Sequence, residues 1–370
     1  MSSVQHETEN ILTGLFNHFA KYLVIEREGI IQMSLWVLHT YLLEELQFSP
    51  RLIFNASQPA SGKSTAQERL SALCYGSVKV GNFTNASIAN FFKGKPRTLH
   101  LDEAENALDP SNGEKFKDLM GILCDGYKQG GVKLKSGKGK DGNWEAEENN
   151  MFGAVSLAGT HTPISSALAT RSLVIQMRKD TEKKAQRFSE RFQGNEVKEL
   201  QAEVLRVVNE HRVEFENCED VENIHYPENL DRRRIDIYSP LVRIALVAGG
   251  GWFDEIFRIM QTEANTAQAI ADSGESLTRI QRLYRDIFEV IQDREGFISS
   301  IELVNQLKTH NPAEWQSYDS GYKPLNAQSL ANFLHKDKIF QTRQGNLRGY
   351  HREQFEKEFK AHSLTSLGSA

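Results

Sequence analysis

One loop, Ser57 to Thr65, constrains this chain more than any other feature of its sequence. It has the sequence Ser-Gln-Pro-Ala-Ser-Gly-Lys-Ser-Thr, follows an apolar run that begins at Arg51, and precedes a helical pattern from Ser64 to Cys74. A loop between a strand and a helix can wrap backbone amides around a phosphate group, with a lysine and a hydroxyl beside it. The spacing therefore predicts a P-loop that binds the phosphates of a nucleotide.

Each predicted phosphate contact has its own residue in this loop. Gly62 permits close approach of the backbone, Lys63 supplies a cation to the β- and γ-phosphates, and Ser64 supplies a hydroxyl to Mg²⁺. Ser57 stands where the pattern usually has its first glycine, which a negative φ allows. The alternative is a chance Gly-Lys-Ser at a helix start. The predicted nucleotide-binding residues are Ser57, Ala60, Ser61, Gly62, Lys63, Ser64 and Thr65.

Two carboxylates at the end of a second apolar run support the same site. Thr98 to Leu101 is followed directly by Asp102 and Glu103. We expect Asp102 to hold Mg²⁺ together with Ser64, mostly through water, and Glu103 to orient the attacking water as general base. This arrangement predicts that both acids face the P-loop from an adjacent strand. The alternative is a solvated strand end that caps the next helix.

The order of elements predicts the fold class and the domain organisation. Strands alternate with helices over residues 49–180, which favours a mostly parallel α/β sheet. Residues 1–48 form an N-terminal helical segment, with helical spacing from 9 to 47, and residues 181–275 are also helical. Residues 276–358 predict three helices and a β-hairpin, the pattern of a winged helix, before a frayed tail at 359–370.

Several short motifs follow the P-loop in a characteristic order. They are Asp102-Glu103-Ala104-Glu105, Gly159-Thr160, Ala169-Thr170-Arg171-Ser172 and Asp231-Arg232. On these motifs the chain resembles, over nearly its whole length, a family of unknown function from phages and other mobile elements. The members of that family are P-loop ATPases related to primase-helicase proteins. The resemblance implies an AAA+-like core with a helical lid, and ATP and Mg²⁺ as cofactors.

The same resemblance suggests roles for three further residues. Thr160 ends an apolar strand and would sense the γ-phosphate, with a polar β-turn as the alternative. Arg171, ahead of the next strand, would act as an arginine finger on the nucleotide of a neighbouring subunit. Arg232 would be the second sensor, on the lid. A finger that acts in trans implies self-association, most naturally as a ring. The alternatives for Arg171 are a phosphate sensor in its own chain and a surface ion pair, and for Arg232 a solvated face.

The most basic window of the chain lies between Gly126 and Lys140, where five lysines occur without an acid. This window belongs to a predicted hairpin. Phosphate contacts from Lys133, Lys135, Lys138 and Lys140 would bind DNA, most favourably single-stranded, without sequence preference. The alternative is that three acids on the returning strand pair across the hairpin and cancel its charge. Those acids are Glu145, Glu147 and Glu148.

Composition excludes some classes of protein. A net charge of −5 excludes a protein that coats nucleic acid through bulk positive charge. No run of 18 apolar residues occurs, so no membrane partner is expected. The three cysteines lie far apart and match neither a disulfide framework nor a metal site, so a cytoplasmic location is expected.

Three functions remain open from the sequence alone. The first is an oligomeric DNA motor, such as a helicase, a translocase or a replication-initiation factor. The second is an ATP-switched assembly protein or helicase loader without processive unwinding. The third is a P-loop kinase, which Arg171, the helical region and the predicted winged helix disfavour.

Overall fold

A computed structural model describes the chain except for residues 1, 57, 59, 82, 139–143, 161–163, 219–220, 222, 274–278, 293, 295, 317–322 and 362–370. The chain divides into two units, residues 1–265 and 266–370. Among the described helices, none combines the length and the apolar character needed to cross a membrane.

A parallel sheet of five strands organises the first unit. The strands are β1 (Arg51–Ala56), β2 (Ser77–Val80), β3 (Thr98–Leu101), β6 (Ala154–Thr160) and β7 (Ser172–Gln176), in the order β2-β3-β6-β1-β7. The predicted parallel α/β sheet is therefore confirmed. One detail needs correction, because β6 lies between β1 and β3. The acids that follow β3 therefore do not come from a strand adjacent to β1, because β6 separates β3 from β1.

The helices of the first unit surround this sheet. The N-terminal pattern predicted as one helix forms two, separated at Leu23–Glu26, where the extended Leu23 and the β-branched Val24 and Ile25 interrupt the helix. The helices are α1 (Ser3–Tyr22), α2 (Arg27–Thr40), α3 (Lys63–Ser71), α4 (Asn85–Phe91), α5 (Ala104–Ala107), α6 (Glu114–Asp125), α7 (Ser166–Ala169), α8 (Glu190–Glu210), α9 (Arg212–Glu216), α10 (Arg232–Ala248) and α11 (Trp252–Ser273).

One hydrophobic core joins the three segments that the sequence separates. Leu12 of α1, Trp36 of α2, Leu173 of β7, Val204 of α8 and Leu241 of α10 belong to the same buried cluster. The helix α2 is buried on every side from Gly29 to Thr40, which explains why its sequence lacks a polar stripe. The N-terminal segment, the sheet and the helical region 181–265 therefore pack as one unit.

A two-stranded antiparallel hairpin, β4 (Val132–Lys138) and β5 (Trp144–Asn150), follows α6 as predicted. Its base is anchored by a hydrogen bond from the amide of Met151 to the carbonyl of Gly131. The turn that leads into it requires Gly126, because a Cβ there would lie 2.1 Å from the Met151 carbonyl oxygen. The base of the hairpin is thus tied to the C-terminus of α6.

The second unit has its own core, centred on Trp315 and Tyr350. Ser299 caps a helix through the Glu302 amide, as predicted. Its described part also contains a third strand and two short helices, at Pro312–Trp315 and Glu356–Ala361, that the sequence did not indicate, so the winged-helix assignment stays a prediction. The elements are α12 (Arg279–Ile291), β8 (Phe297–Ser299), α13 (Ser300–His310), α14 (Pro312–Trp315), α15 (Ala327–His335), β9 (Thr342–Gln344), β10 (Leu347–His351) and α16 (Glu356–Ala361).

Candidate functional site

The predicted phosphate loop connects β1 to α3 at the C-terminal edge of the sheet. Gly62 has φ +82° and forms the N-cap of α3, a left-handed conformation that favours glycine. The next residue, Lys63, opens the helix, and its Nζ donates a hydrogen bond to Ser61 Oγ at 3.2 Å. The amides at this helix N-terminus and the Lys63 ammonium make the loop a site for an anion. Ser57, also predicted here, lies outside the described residues.

A cleft of about 470 Å³, which we call the phosphate cleft, brings the predicted residues together. Ala158 and Gly159 of β6 form part of its wall. The other residues that line it are Ala60, Ser61, Gly62, Lys63, Ser64, Thr65, Asp102, Glu103 and Glu105. Lys63, Ser64 and the two predicted acids therefore share one open space. The strands that precede them, β1 for the loop and β3 for the acids, are not hydrogen-bonded to each other.

Backbone geometry sets the positions of the acids. The amide of Asp102 donates to the carbonyl of Val80 at 2.9 Å, which extends the β2–β3 pairing by one residue. Glu103 follows with φ +53°, a left-handed conformation that is unfavourable for a residue with a Cβ. Strain of this kind is typical of functional sites. Glu105 also lines the cleft, and its buried Oε2 has no hydrogen-bond partner among the described residues.

A lysine that the sequence analysis did not select holds the first acid. Lys79 of β2 places its Nζ 3.1 Å from Asp102 Oδ2 and 3.5 Å from Glu68 Oε1. The pairing follows from the register, since Lys79 lies opposite His100, two residues before Asp102. Asp102 therefore already accepts a cation at the place where Mg²⁺ is expected. A lysine on an edge strand carries no motif, so only the strand pairing identifies it.

Thr160 lies at the C-terminal edge of the sheet, where it pairs with Ala56, the last residue of β1 before the P-loop. Its backbone position is thus next to the phosphate cleft. The conformation of its side chain lies outside what the structure describes. The sensor role of Thr160 stays a prediction.

Arg171 lies at the opposite, N-terminal edge of the sheet. Its Nε donates to the carbonyl of Cys124 at 2.9 Å, its Nη1 donates to the carbonyl of Ala167 at 2.6 Å, and its guanidinium lies 5.1 Å from the centre of the Tyr127 ring. Because β1 has six residues and rises about 3.3 Å per residue, the two edges are roughly 17 Å apart. Arg171 therefore cannot reach the phosphate cleft of its own chain, and its role in trans stays a prediction.

Arg232 also lies at this N-terminal edge, near Asp236 and away from the phosphate cleft of its own chain, and its role as the second sensor stays a prediction. Burial raises the pKa of Asp236, and the nearby charges of Lys128, Arg232 and Arg233 oppose that shift. The arginine of this run that is packed into the protein is Arg234, which donates to the Ser172 carbonyl at 2.6 Å and pairs with Glu263. Contacts within the protein rather than phosphate binding therefore explain the presence of Arg234.

Another arginine at the N-terminal edge escaped the sequence analysis. Arg51 has no exposed surface, and it donates to the carbonyls of Leu123 at 2.9 Å and Gly153 at 2.5 Å. Burial and the charge of Arg171 lower the pKa of Arg51 to about 9. Arg51 and Arg171 thus both bind carbonyls at the C-terminus of α6. Because Arg51 begins an apolar run in the sequence, the sequence alone does not indicate this role.

The hairpin lysines give a mixed result. Lys133 pairs with Asp118 of α6 at 2.9 Å. In the backbone register Lys135 lies opposite Glu147, and Lys138 lies opposite Trp144. The side chains of Lys135 and Lys138, and all of Lys140, lie outside the described residues. The hairpin as a DNA-binding element therefore stays a prediction. Lys133 pairs with an acid of α6 and not with one of the three acids on the returning strand, so the alternative of pairing across the hairpin stays open as well.

Comparison with known families gives one match. A family described as "Protein of unknown function (DUF3631)" matches residues 175–362. The chain belongs to this family. The part of this chain that matches DUF3631 begins in β7, so it does not include the residues that line the phosphate cleft. No curated protein matches the chain.

Three solved structures illustrate the structural likeness. "SCCmec type IV Cch - active helicase" is 13% identical with TM-score 0.42, over 93% of this chain and 70% of that chain. The C-terminal region of NrS-1 is 12% identical with TM-score 0.38, over 93% and 74%. An MCM homolog from Methanopyrus kandleri is 14% identical with TM-score 0.41, over 70% and 61%. Since all three TM-scores are low, no argument about function follows from them.

Proposed function

We propose that this protein is a Mg²⁺-dependent ATP hydrolase that acts as an oligomeric DNA motor, as a helicase, translocase or replication-initiation factor of a phage or mobile element. The observation that carries the ATPase part is the phosphate cleft. It unites a helix N-terminus and Lys63, which bind phosphate, with the Ser64 hydroxyl and the carboxylates of Asp102 and Glu103.

The residues present fit a magnesium ion. Asp102 accepts the ammonium of Lys79, so a cation is stable at this carboxylate, and the Ser64 side chain lines the same cleft. Oxygen ligands of this kind suit Mg²⁺. When bound between Ser64 and Asp102, Mg²⁺ would neutralise charge on the phosphates.

The chain supplies the remaining chemistry. Lys63 binds the β- and γ-phosphates and withdraws charge from the reacting phosphoryl group. Glu103 accepts a hydrogen bond from the attacking water and orients it for in-line attack. Glu105 is the second carboxylate that can do this, because it also lines the cleft. Thr160 holds the water or the γ-phosphate from the end of β6.

An arginine from another copy completes the site. Arg171 and Arg232 lie at the edge of the sheet away from the cleft of their own chain, while the residues that line the cleft include no arginine. In a ring, Arg171 of one copy would stabilise the transition-state charge at the cleft of the next. Arg232 would contact the same nucleotide.

The ATPase is tested by comparing wild type with Lys63→Ala, Glu103→Gln, Glu105→Gln and the exposed control Lys95→Met. Lys63→Ala should lose ATP binding and turnover. Glu103→Gln should keep ATP binding and lose turnover by a factor on the order of 10² or more. Full turnover in Glu103→Gln with loss of turnover in Glu105→Gln would assign the general base to Glu105 instead. Full turnover in Lys63→Ala would contradict the phosphate cleft as the site of ATP hydrolysis.

The DNA motor is tested separately. Single-stranded DNA should stimulate hydrolysis, and charge reversal at Lys135, Lys138 and Lys140 should remove that stimulation while basal hydrolysis persists. Stimulation should also fall steeply with salt concentration, because phosphate contacts release counterions. Unchanged stimulation in the triple variant would exclude the hairpin as the DNA contact.

A second candidate function is an ATP-switched assembly protein. The Lys133–Asp118 ion pair favours it, because this pair reduces the positive charge of the hairpin that is available for DNA. Assembly on addition of ATP without strand displacement would support the switch. Strand displacement that depends on Lys63 would support the motor.

A further inference from the structure

Gln67 is a polar residue on the buried face of α3. This face also contains Ala66 and Leu70, and Gln67 itself has no exposed surface. Its Nε2 donates hydrogen bonds to the carbonyl of Leu101 at 3.1 Å and to Ser156 Oγ at 3.2 Å. The helix at the end of the P-loop is therefore hydrogen-bonded, through one side chain, to both β3 and β6.

The carbonyl that Gln67 contacts is one half of the peptide group that leads into Asp102. The carbonyl of Leu101 and the amide of Asp102 belong to the same planar unit. Gln67 donates to that carbonyl, and the amide of Asp102 donates to the carbonyl of Val80 at 2.9 Å. A side chain of α3 and the backbone of β2 thus hold this peptide from two sides, which fixes the direction in which the chain leaves β3.

Strand pairing alone does not determine the geometry beyond this peptide. β3 ends at Leu101, and Glu103 has the left-handed φ of +53°. Because β6 lies between β1 and β3, the sheet relates the P-loop to the acids only indirectly. Ser64 and Gln67 are three residues apart in α3 and therefore lie on the same side of the helix. The contact between Gln67 and Leu101 thus links the helix that carries one expected Mg²⁺ ligand to the peptide of the other.

Stability alone does not explain a glutamine at this position. The Oε1 of Gln67 is buried and has no hydrogen-bond partner among the described residues. An apolar side chain of the same size would avoid the cost of burying that oxygen. The donor end, in contrast, is well oriented, because its second acceptor, Ser156 Oγ, is hydrogen-bonded in turn to His100 Nδ1 at 2.7 Å. What distinguishes Gln67 is therefore the group to which it donates.

We propose that Gln67 is a positioning residue for the Mg²⁺ site. By holding the peptide between Leu101 and Asp102, it sets the position of the Asp102 carboxylate relative to the Ser64 hydroxyl. This inference rests on the proposed ATPase function and deepens it, because it assigns a role to a side chain that no sequence motif marks. Gln67 is not among the residues that line the phosphate cleft, so it acts on the metal site through α3 and β3.

The test compares ATP binding in Mg²⁺ with ATP binding in EDTA, measured by calorimetry on wild type and Gln67→Met. Methionine has about the same length as glutamine but no donor. In EDTA both proteins should bind ATP equally, because Lys63 and the loop amides contact the phosphates without the metal. Mg²⁺ should tighten ATP binding at least about tenfold in wild type, and Gln67→Met should lose about fivefold or more of that gain. The Mg²⁺ concentration for half-maximal turnover should rise by a similar factor.

Two further variants serve as control and reserve. Gln32 of α2 is also buried, and its Nε2 donates to the Tyr238 hydroxyl at 3.2 Å. Gln32→Met therefore makes the same exchange at a residue that does not line the phosphate cleft, and it should keep the full gain from Mg²⁺. Gln67→Asn keeps the amide on a side chain one methylene shorter, which places the donor out of reach of Leu101. It should behave like Gln67→Met and replaces that variant if the latter does not fold.

The outcomes separate this inference from the proposed function. A full gain from Mg²⁺ in a folded Gln67 variant, or the same loss of gain in Gln32→Met, would overturn the positioning role alone. Equal weakening of ATP binding with and without Mg²⁺ would also overturn it, because Gln67 would then support only the fold of the loop. Unchanged ATP binding in Lys63→Ala would instead overturn the phosphate cleft and with it the ATPase.

Discussion

The two edges of the central sheet carry opposite chemistry. At the C-terminal edge, the phosphate cleft contains one lysine, Lys63, and three acids from the segment after β3. At the N-terminal edge, Arg51 and Arg171 bind carbonyls at the end of α6, and Arg232 and Arg233 lie close by. Parallel strands separate two sets of residues in this way, because every strand begins at one edge and ends at the other. Among the described residues, Arg51, Arg171 and Arg232 lie at the edge away from the phosphate cleft, and the proposed action of Arg171 on a neighbouring copy requires such a placement.

The largest expected effect comes from removing a key residue of one edge in one copy and a key residue of the other edge in another copy. Arg171→Ala should reduce turnover by a factor on the order of 10³, similar to the loss of other arginine fingers. Mixing Arg171→Ala protein with Lys63→Ala protein in equal amounts should restore activity at about a quarter of the interfaces, because one in four then has both residues intact. ATPase assays of the two variants and of the mixture measure this. A mixture no more active than its components would overturn the role of Arg171 as a finger that acts on a neighbouring copy.

The second effect concerns stability at the N-terminal edge. Arg51→Met leaves the carbonyls of Leu123 and Gly153 without their buried donor, so the free energy of unfolding should fall by about 2–3 kcal/mol. The control is Arg233→Met, at an exposed side chain, which should change the free energy of unfolding little. Urea denaturation of both variants measures the difference. A loss of similar size in both would mean that the carbonyl contacts of Arg51 contribute no special stability.

The third effect is a pH dependence with one buried histidine near each edge. Burial lowers the pKa of His39, which contacts Ser49 Oγ ahead of β1, to about 4. Burial also lowers the pKa of His18, whose ring lies 5.0 Å from the Tyr22 ring in α1, to about 4. The unfolded chain binds these protons near pH 6.5, whereas the folded protein does not. Stability is therefore complete above pH 6.5 and decreases as the pH falls to about 4, by up to about 1.4 kcal/mol per pH unit for each histidine.

Denaturation midpoints measured between pH 7 and pH 4 test this dependence. His39→Gln can keep a hydrogen bond in place of the ring and should show a shallower decrease than wild type. An equally steep decrease in that variant would show that the titration belongs to other groups.

The smallest effect concerns the acids of the C-terminal edge. Lys79 competes with Mg²⁺ for Asp102, so Lys79→Met should lower the Mg²⁺ concentration needed for half-maximal turnover by about two- to fivefold. A Mg²⁺ titration of the ATPase measures this, with Lys95→Met, whose side chain is 82% exposed, as the control. A higher Mg²⁺ requirement in Lys79→Met would mean that Lys79 positions Asp102 for the metal instead of competing with it.

Much of the fold was predictable because it depends on local patterns. The parallel sheet, the hairpin after α6 and the Ser299 cap follow from apolar runs, turn residues and a capping signal. The break at Leu23–Glu26 was missed because α2 is buried on every side and shows no boundary in its periodicity. In the second unit, the additional strand β8 and the additional helix α14 have only three and four residues, too few to produce a pattern.

By itself the sequence determined the loop between β1 and α3, the two acids after β3 and the alternation that makes an α/β sheet, since these depend on residue types at short spacing. Only the tertiary structure decided which residues meet. It placed β6 between the loop and the acids, paired Lys79 with Asp102, and placed Arg171 and Arg232 at the edge away from the phosphate cleft. The physical reason is that strand order and register, which depend on packing over the whole chain, determine which distant side chains share a surface.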